Sequence, residues 1–99
     1  MRSQIHVYIK GEVIGVGFRA WTVVQAQMHH LTGWVRNSFD KPEIFSAHGG
    51  VEGVFQGTKS NLQSFIDKLH EGPSVSRVDD VEIYWQEPKE IFTEVEMRK

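Results

Sequence analysis

Gly11-Glu12-Val13-Ile14-Gly15-Val16-Gly17-Phe18-Arg19 joins two stretches of different periodicity. Before it, Ile5, Val7 and Ile9 alternate with His6, Tyr8 and Lys10, the two-residue repeat of a half-buried strand ending at Gly11. After it, a helix is expected from Phe18 to Leu31, with Gly33 closing the unit. Two stripes compete for the inner face of that helix: Trp21, Val24, Met28 and Leu31, or Phe18, Thr22, Ala26 and His29. The nine residues are therefore a strand-to-helix connection with glycine at positions 11, 15 and 17. Glycine reaches backbone torsions that other residues avoid and lets a ligand approach the main chain. The first N–H groups of a helix lack intrahelical partners, and the helix dipole adds positive potential there. Successive amides at such an end can cradle a phosphate. Arg19, in the first turn, adds a guanidinium fork matched to phosphate oxygens. Taken alone, the same stretch also reads as a plain glycine-rich turn beside a surface arginine. It matches neither the Gly-Lys-Ser/Thr phosphate loop nor the dinucleotide glycine pattern.

Outward from this loop, Trp34-Val35-Arg36-Asn37 reads as a second strand. Ser38 to Gly50 reads as a long loop or extended hairpin arm, and Val51 to Gln56 as a third strand bounded by Gly57. Thr58 or Ser60 can cap a second helix, in which Leu62, Phe65, Ile66 and Leu69 form an apolar stripe at i, i+3, i+4 and i+7. Gly72-Pro73 stops it. Val81, Ile83 and Trp85 alternate in a fourth strand, and Thr93, Val95 and Met97 in a short last one. The order β-α-β-β-α-β plus a final strand predicts an α+β, ferredoxin-like sandwich. Its antiparallel sheet carries two helices on one face and a short extra C-terminal strand. No linker or repeat divides residues 1–99, so a single domain is expected.

Composition narrows the function classes. Hydrophobic residues make up 39% and charged residues 24% of the 99, as in globular proteins rather than disordered ones. With no cysteine there is neither a disulfide framework nor a thiolate metal site. The net charge of -2, with bases scattered among acids, argues against a nucleic-acid partner. No apolar run approaches the ~20 residues that cross a bilayer. The opening residues lack the apolar core of a signal peptide. A cytoplasmic monomer with no membrane partner is the expectation.

Five histidines, His6, His29, His30, His48 and His70, do not form a metal-binding pattern. His29-His30 reads as a helix C-terminal pair favoured by the dipole. Neither a metal nor a cofactor is expected. Asp79-Asp80 reads as a solvated turn or the start of a strand.

The loop closely resembles the first signature of the acylphosphatase family, commonly Gly-x-Val-Gln-Gly-Val-x-Phe-Arg. The second signature is similar to Gly33-Trp34-Val35-Arg36-Asn37, followed by Gly49-Gly50-Val51-Glu52 and Gly57. Gly72-Pro73, Val78-Asp79 and Val81 look like the family's tail, so the resemblance spans nearly the whole chain. It implies hydrolysis of acyl phosphates to a carboxylate and inorganic phosphate by in-line attack of water. It implies that Arg19 binds the phosphoryl group with the amides of Gly15, Val16, Gly17, Phe18 and Arg19. Inorganic phosphate or another anion would occupy the same loop. Asn37 would position the water, on a strand expected beside the first one.

Two departures stand out. Ile14 occupies the place where the family usually has glutamine. The loop after the asparagine is several residues longer than usual, around Ser38 to His48. That insertion could cover the site, join two copies or, as surface loops usually do, lie in solvent. The alternative function is a non-catalytic module that binds phosphate or an acyl phosphate for regulation. Similar domains also occur inside larger maturation enzymes, an architecture that a chain of this length argues against. An RNA-binding ferredoxin-like domain ranks last, because the aromatic pattern on its central strands is missing.

Overall fold

The computed structural model describes residues 2–45 and 48–99. Strand β1 (Ser3–Glu12) leads into helix α1 (Phe18–Met28), then β2 (Thr32–Ser38), β3 (Gly50–Gly57), α2 (Lys59–Glu71), β4 (Arg77–Gln86) and β5 (Val95–Arg98). The sheet runs β4-β1-β3-β2-β5. Its first four strands pair antiparallel as neighbours, and β5 adds parallel to β2. The expected α+β sandwich is thus present, with the added strand making the sheet mixed. The strand of Asn37 does not lie beside β1 as expected: β3 stands between them, paired with both.

One face of the sheet is apolar. Ile5, Val7 and Ile9 on β1, Val35 on β2, and Val51 and Phe55 on β3 bury against Phe18 and Ala26 of α1 and Leu62, Phe65, Ile66 and Leu69 of α2. The Phe55 and Phe65 rings meet at 4.6 Å. All four stripe positions of α2 are buried, as the spacing predicts. The ambiguity in α1 resolves toward Phe18, Thr22 and Ala26, while Val24 and Met28 are 51% and 65% exposed. Thr22 fits inside because its hydroxyl donates to the Phe18 carbonyl at 2.8 Å. The helix stops at Met28, short of Leu31, because His30 turns to φ 59°. His29 closes the end, its N–H reaching the Gln25 and Ala26 carbonyls.

Strand β1 continues through Gly11 to Glu12 instead of ending at the glycine. Its register against β4 shifts between Lys10 and Gly11. A Cβ at Gly11 would run into the Arg77 carbonyl, so this glycine serves the close approach of β4 rather than the loop. The segment after Ser38 does not lie wholly in solvent. Phe45 is only 2% exposed and stands edge-on to Tyr8 at 5.9 Å, on the sheet face away from the helices. Ser46 and Ala47 of the insertion lie outside the described residues.

Candidate active site

The connection between β1 and α1 is shaped by two left-handed glycines, Gly15 at φ 76° and Gly17 at φ 78°. A Cβ at either would meet nothing within 4 Å, so what demands glycine is the torsion rather than crowding. Gly17 is the N-cap of α1, and among the described residues no side chain caps that helix end. Among the described residues, no backbone hydrogen bond begins at the N–H groups from Ile14 to Arg19; the first is Trp21 N–H to the Gly17 carbonyl at 3.0 Å. No acidic residue sits in the first turn. The end therefore keeps both its donors and its positive potential.

Arg19 is held in place by donating from Nη1 to the Arg98 carbonyl at 2.9 Å. Arg98 is in register with Arg36, the residue before Asn37. Asn37 pairs with Val51, Val51 with Ile9, and Ile9 with Val81, so the four form one row across the sheet. Strands β1 and β2 run in the same direction, each antiparallel to β3. Asn37 thus lies at the sheet end where β1 passes into the loop. It shares the parity of Gly33 and Val35, which places it on the helix-bearing face. Arg19, the amide run and Asn37 are brought to one end and one side of the sheet. Among the described residues, the Asn37 side chain makes no protein hydrogen bond and is half-buried.

Charge compensation separates Arg19 from the other bases nearby. Arg36 points to the opposite face, where Nε and Nη2 donate to Glu52 Oε1 at 3.0 and 2.8 Å. That hydrogen bonding holds the Arg36 guanidinium above its ordinary pKa. Glu52 is 3% exposed and also meets His6 Nε2 at 2.6 Å. Lys10 is paired with Glu82 and, at 3.9 Å, Asp80; the Glu82 bond holds its ammonium above the usual lysine value. Arg77 is paired with Asp79 at 2.9 Å and Glu12 at 3.5 Å, and Asp79 raises its pKa. Arg19 instead bonds a neutral carbonyl, which leaves its charge available to an anion.

The sequence picked out Arg19, Asn37 and the amides of residues 15–19. It did not indicate the Arg98 carbonyl, which orients the guanidinium from almost the other end of the chain. A backbone acceptor carries no side-chain signal. Nor did it show that Arg36, next to Asn37, is turned away; strand alternation contains that signal once β2 is known to extend through Ser38.

A family model described as Acylphosphatase matches residues 5–97. A relative named acylphosphatase from Chloroflexus aurantiacus is 45% identical over 83 residues, covering 84% of this chain and 82% of the relative. A solved acylphosphatase structure from Bacillus subtilis matches with TM-score 0.86 at 29% identity, covering 98% of this chain and 99% of that one. The structure of an acylphosphatase from Coxiella burnetii matches with TM-score 0.85 at 31% identity, covering 98% and 93%.

Proposed function

The chain belongs to the acylphosphatase family, and from that premise we propose that it hydrolyses acyl phosphates at the start of α1, with Arg19 and Asn37 as its catalytic residues. The amides of Gly15, Val16, Gly17, Phe18 and Arg19 hold the phosphoryl oxygens together with the Arg19 guanidinium. Inorganic phosphate, the product, binds the same groups. Asn37 aims a water in line with the scissile bond. The water oxygen forms a bond to phosphorus while the bond from phosphorus to the carboxylate oxygen breaks. The carboxylate leaves with the electron pair, and the proton of the water passes to phosphate or solvent.

The chemistry explains why so few groups suffice. A carboxylic acid has a pKa of about 4, so the leaving group needs no proton at neutral pH. A general acid is dispensable. What remains is alignment of the nucleophile and stabilisation of charge on the phosphoryl oxygens. Alkyl phosphates leave as strongly basic alkoxides, so the site is selective for acyl phosphates. The observation that carries this reading is the amide run, unpaired among the described residues, ending in a cation that has no carboxylate partner among them. The named relatives, matching over most of the chain, support catalysis over a purely regulatory anion-binding role.

Acetyl phosphate turnover tests the roles. Arg19→Ala is expected to lower kcat/KM by about 10³-fold, the scale at which a phosphoryl-binding arginine acts. Asn37→Ala is expected to lower kcat by about 10²-fold with less effect on KM. Both variants should keep the wild-type far-UV circular dichroism. Undiminished turnover in folded Arg19→Ala and Asn37→Ala would remove the site from this end of the molecule. The same reading takes the chain as one domain and a cytoplasmic monomer, for which sedimentation at assay concentration should give a single species of monomer mass. Among the described residues no helix is long and apolar enough to cross a membrane.

A further inference from the structure

The two departures from the family pattern meet in space. A cavity of about 820 Å³ opens beside the loop, with Ile14 and Val16 on one wall and Ile44 and Phe45 of the insertion on the other. We infer that this groove receives the acyl part of the substrate and makes the enzyme selective for bulky, uncharged, apolar acyl groups. The inference rests on the hydrolase reading above and adds a substrate class to it.

Continuity with the site comes first. Ile14 and Val16 flank Gly15, so the groove begins where the phosphoryl-binding amides begin. Val16 belongs to both, so an acyl group bonded to a phosphate on that amide comes within reach of the groove. Size comes second. The volume falls in the range of small-molecule pockets, about 300–1,000 Å³, and far exceeds what a two-carbon acetyl group fills.

The lining comes third. Ile14, Val16 and Ile44 are half-buried, each leaving part of an apolar side chain for a ligand to cover. Phe45 fixes the insertion wall by packing on Tyr8, and Gly50 leaves it room: a Cβ at Gly50 would strike the Phe45 ring. The charged rim favours no second anion. Its lysine and arginine, Lys10 and Arg77, are already paired with carboxylates, and three acids, Glu12, Asp79 and Asp80, outnumber the one further basic side chain, His48. Glutamine at position 14 would leave Val16 as the apolar part of one wall, and a short loop in place of the insertion would remove the other.

The test compares benzoyl phosphate with acetyl phosphate, each rate divided by its uncatalysed rate, for wild type, Ile44→Ser and Ile14→Gln. Wild type should favour benzoyl phosphate by about tenfold or more in kcat/KM, mainly through KM. Each substitution should reduce that preference several-fold while acetyl phosphate turnover persists, which also shows that the variant folds. Turnover of both substrates by wild type without a preference, or a preference untouched by both substitutions, overturns the groove and leaves the hydrolase standing. Turnover of neither substrate overturns both.

Discussion

Helix α2 begins at Thr58, an extended residue whose hydroxyl accepts from Asn61 N–H at 3.1 Å, whereas α1 begins at Gly17, left-handed and without a side chain to offer. A threonine cap contributes about 1 kcal/mol to a helix, and α1 forgoes it. Packing offsets the loss. Phe18, the first residue of α1, is buried in the core, and helices in proteins draw most of their stability from such faces. One chain thus contains a helix start finished by its own side chain and another whose donors meet no protein acceptor among the described residues. The cation follows the same division: Arg19 stands in the first turn of α1, while Lys68 and His70 lie in the last turn of α2, where the dipole favours positive charge.

Making the α1 end resemble a capped one should have the largest effect. In Gly17→Asp a carboxylate lies over the amides that would bind phosphoryl oxygen and repels the substrate. We expect kcat/KM on acetyl phosphate to fall by about 10²-fold or more. A smaller effect is expected from ligand linkage. Inorganic phosphate at ten times its Kd should stabilise wild type by about 1.4 kcal/mol in chemical denaturation, and Gly17→Asp by almost nothing. Smallest is the reciprocal change at α2. Thr58→Ala should cost about 1 kcal/mol of folding stability. It should leave both turnover and phosphate stabilisation at wild-type values, measured in the same denaturation series. A Thr58→Ala enzyme that lost its phosphate response would erase the distinction between the two ends.

Residues whose role is local were legible in the sequence. The stripe Leu62, Phe65, Ile66 and Leu69 is buried as its spacing requires, and the alternation of Ile5, Val7 and Ile9 gives the inner face of β1. The loop was legible because glycine torsions, an uncapped helix start and Arg19 lie within nine residues. Long-range matters were not. Gly11 counted as part of the loop until the closeness of β4 showed what it accommodates. The insertion stayed open between covering the site, joining two copies and lying in solvent, because nothing within Ser38 to His48 announces that Phe45 docks on Tyr8, far away in sequence. Glu52 belongs by alternation to a polar face, and only the arrival of His6 and Arg36 from neighbouring strands buries it. The α1 face was undecided because Trp21, Val24 and Met28 are as apolar as the stripe that wins. The hydrogen bond from Thr22 to Phe18 lets a polar residue take the inner side.

Backbone amide spectroscopy during titration with inorganic phosphate measures the distinction residue by residue. The account predicts saturable shifts at Gly15, Val16, Gly17, Phe18 and Arg19 and at the side-chain amide of Asn37, with the amides from Thr58 to Leu62 unmoved. Shifts absent from the α1 end, or equal at the two helix starts, would contradict it.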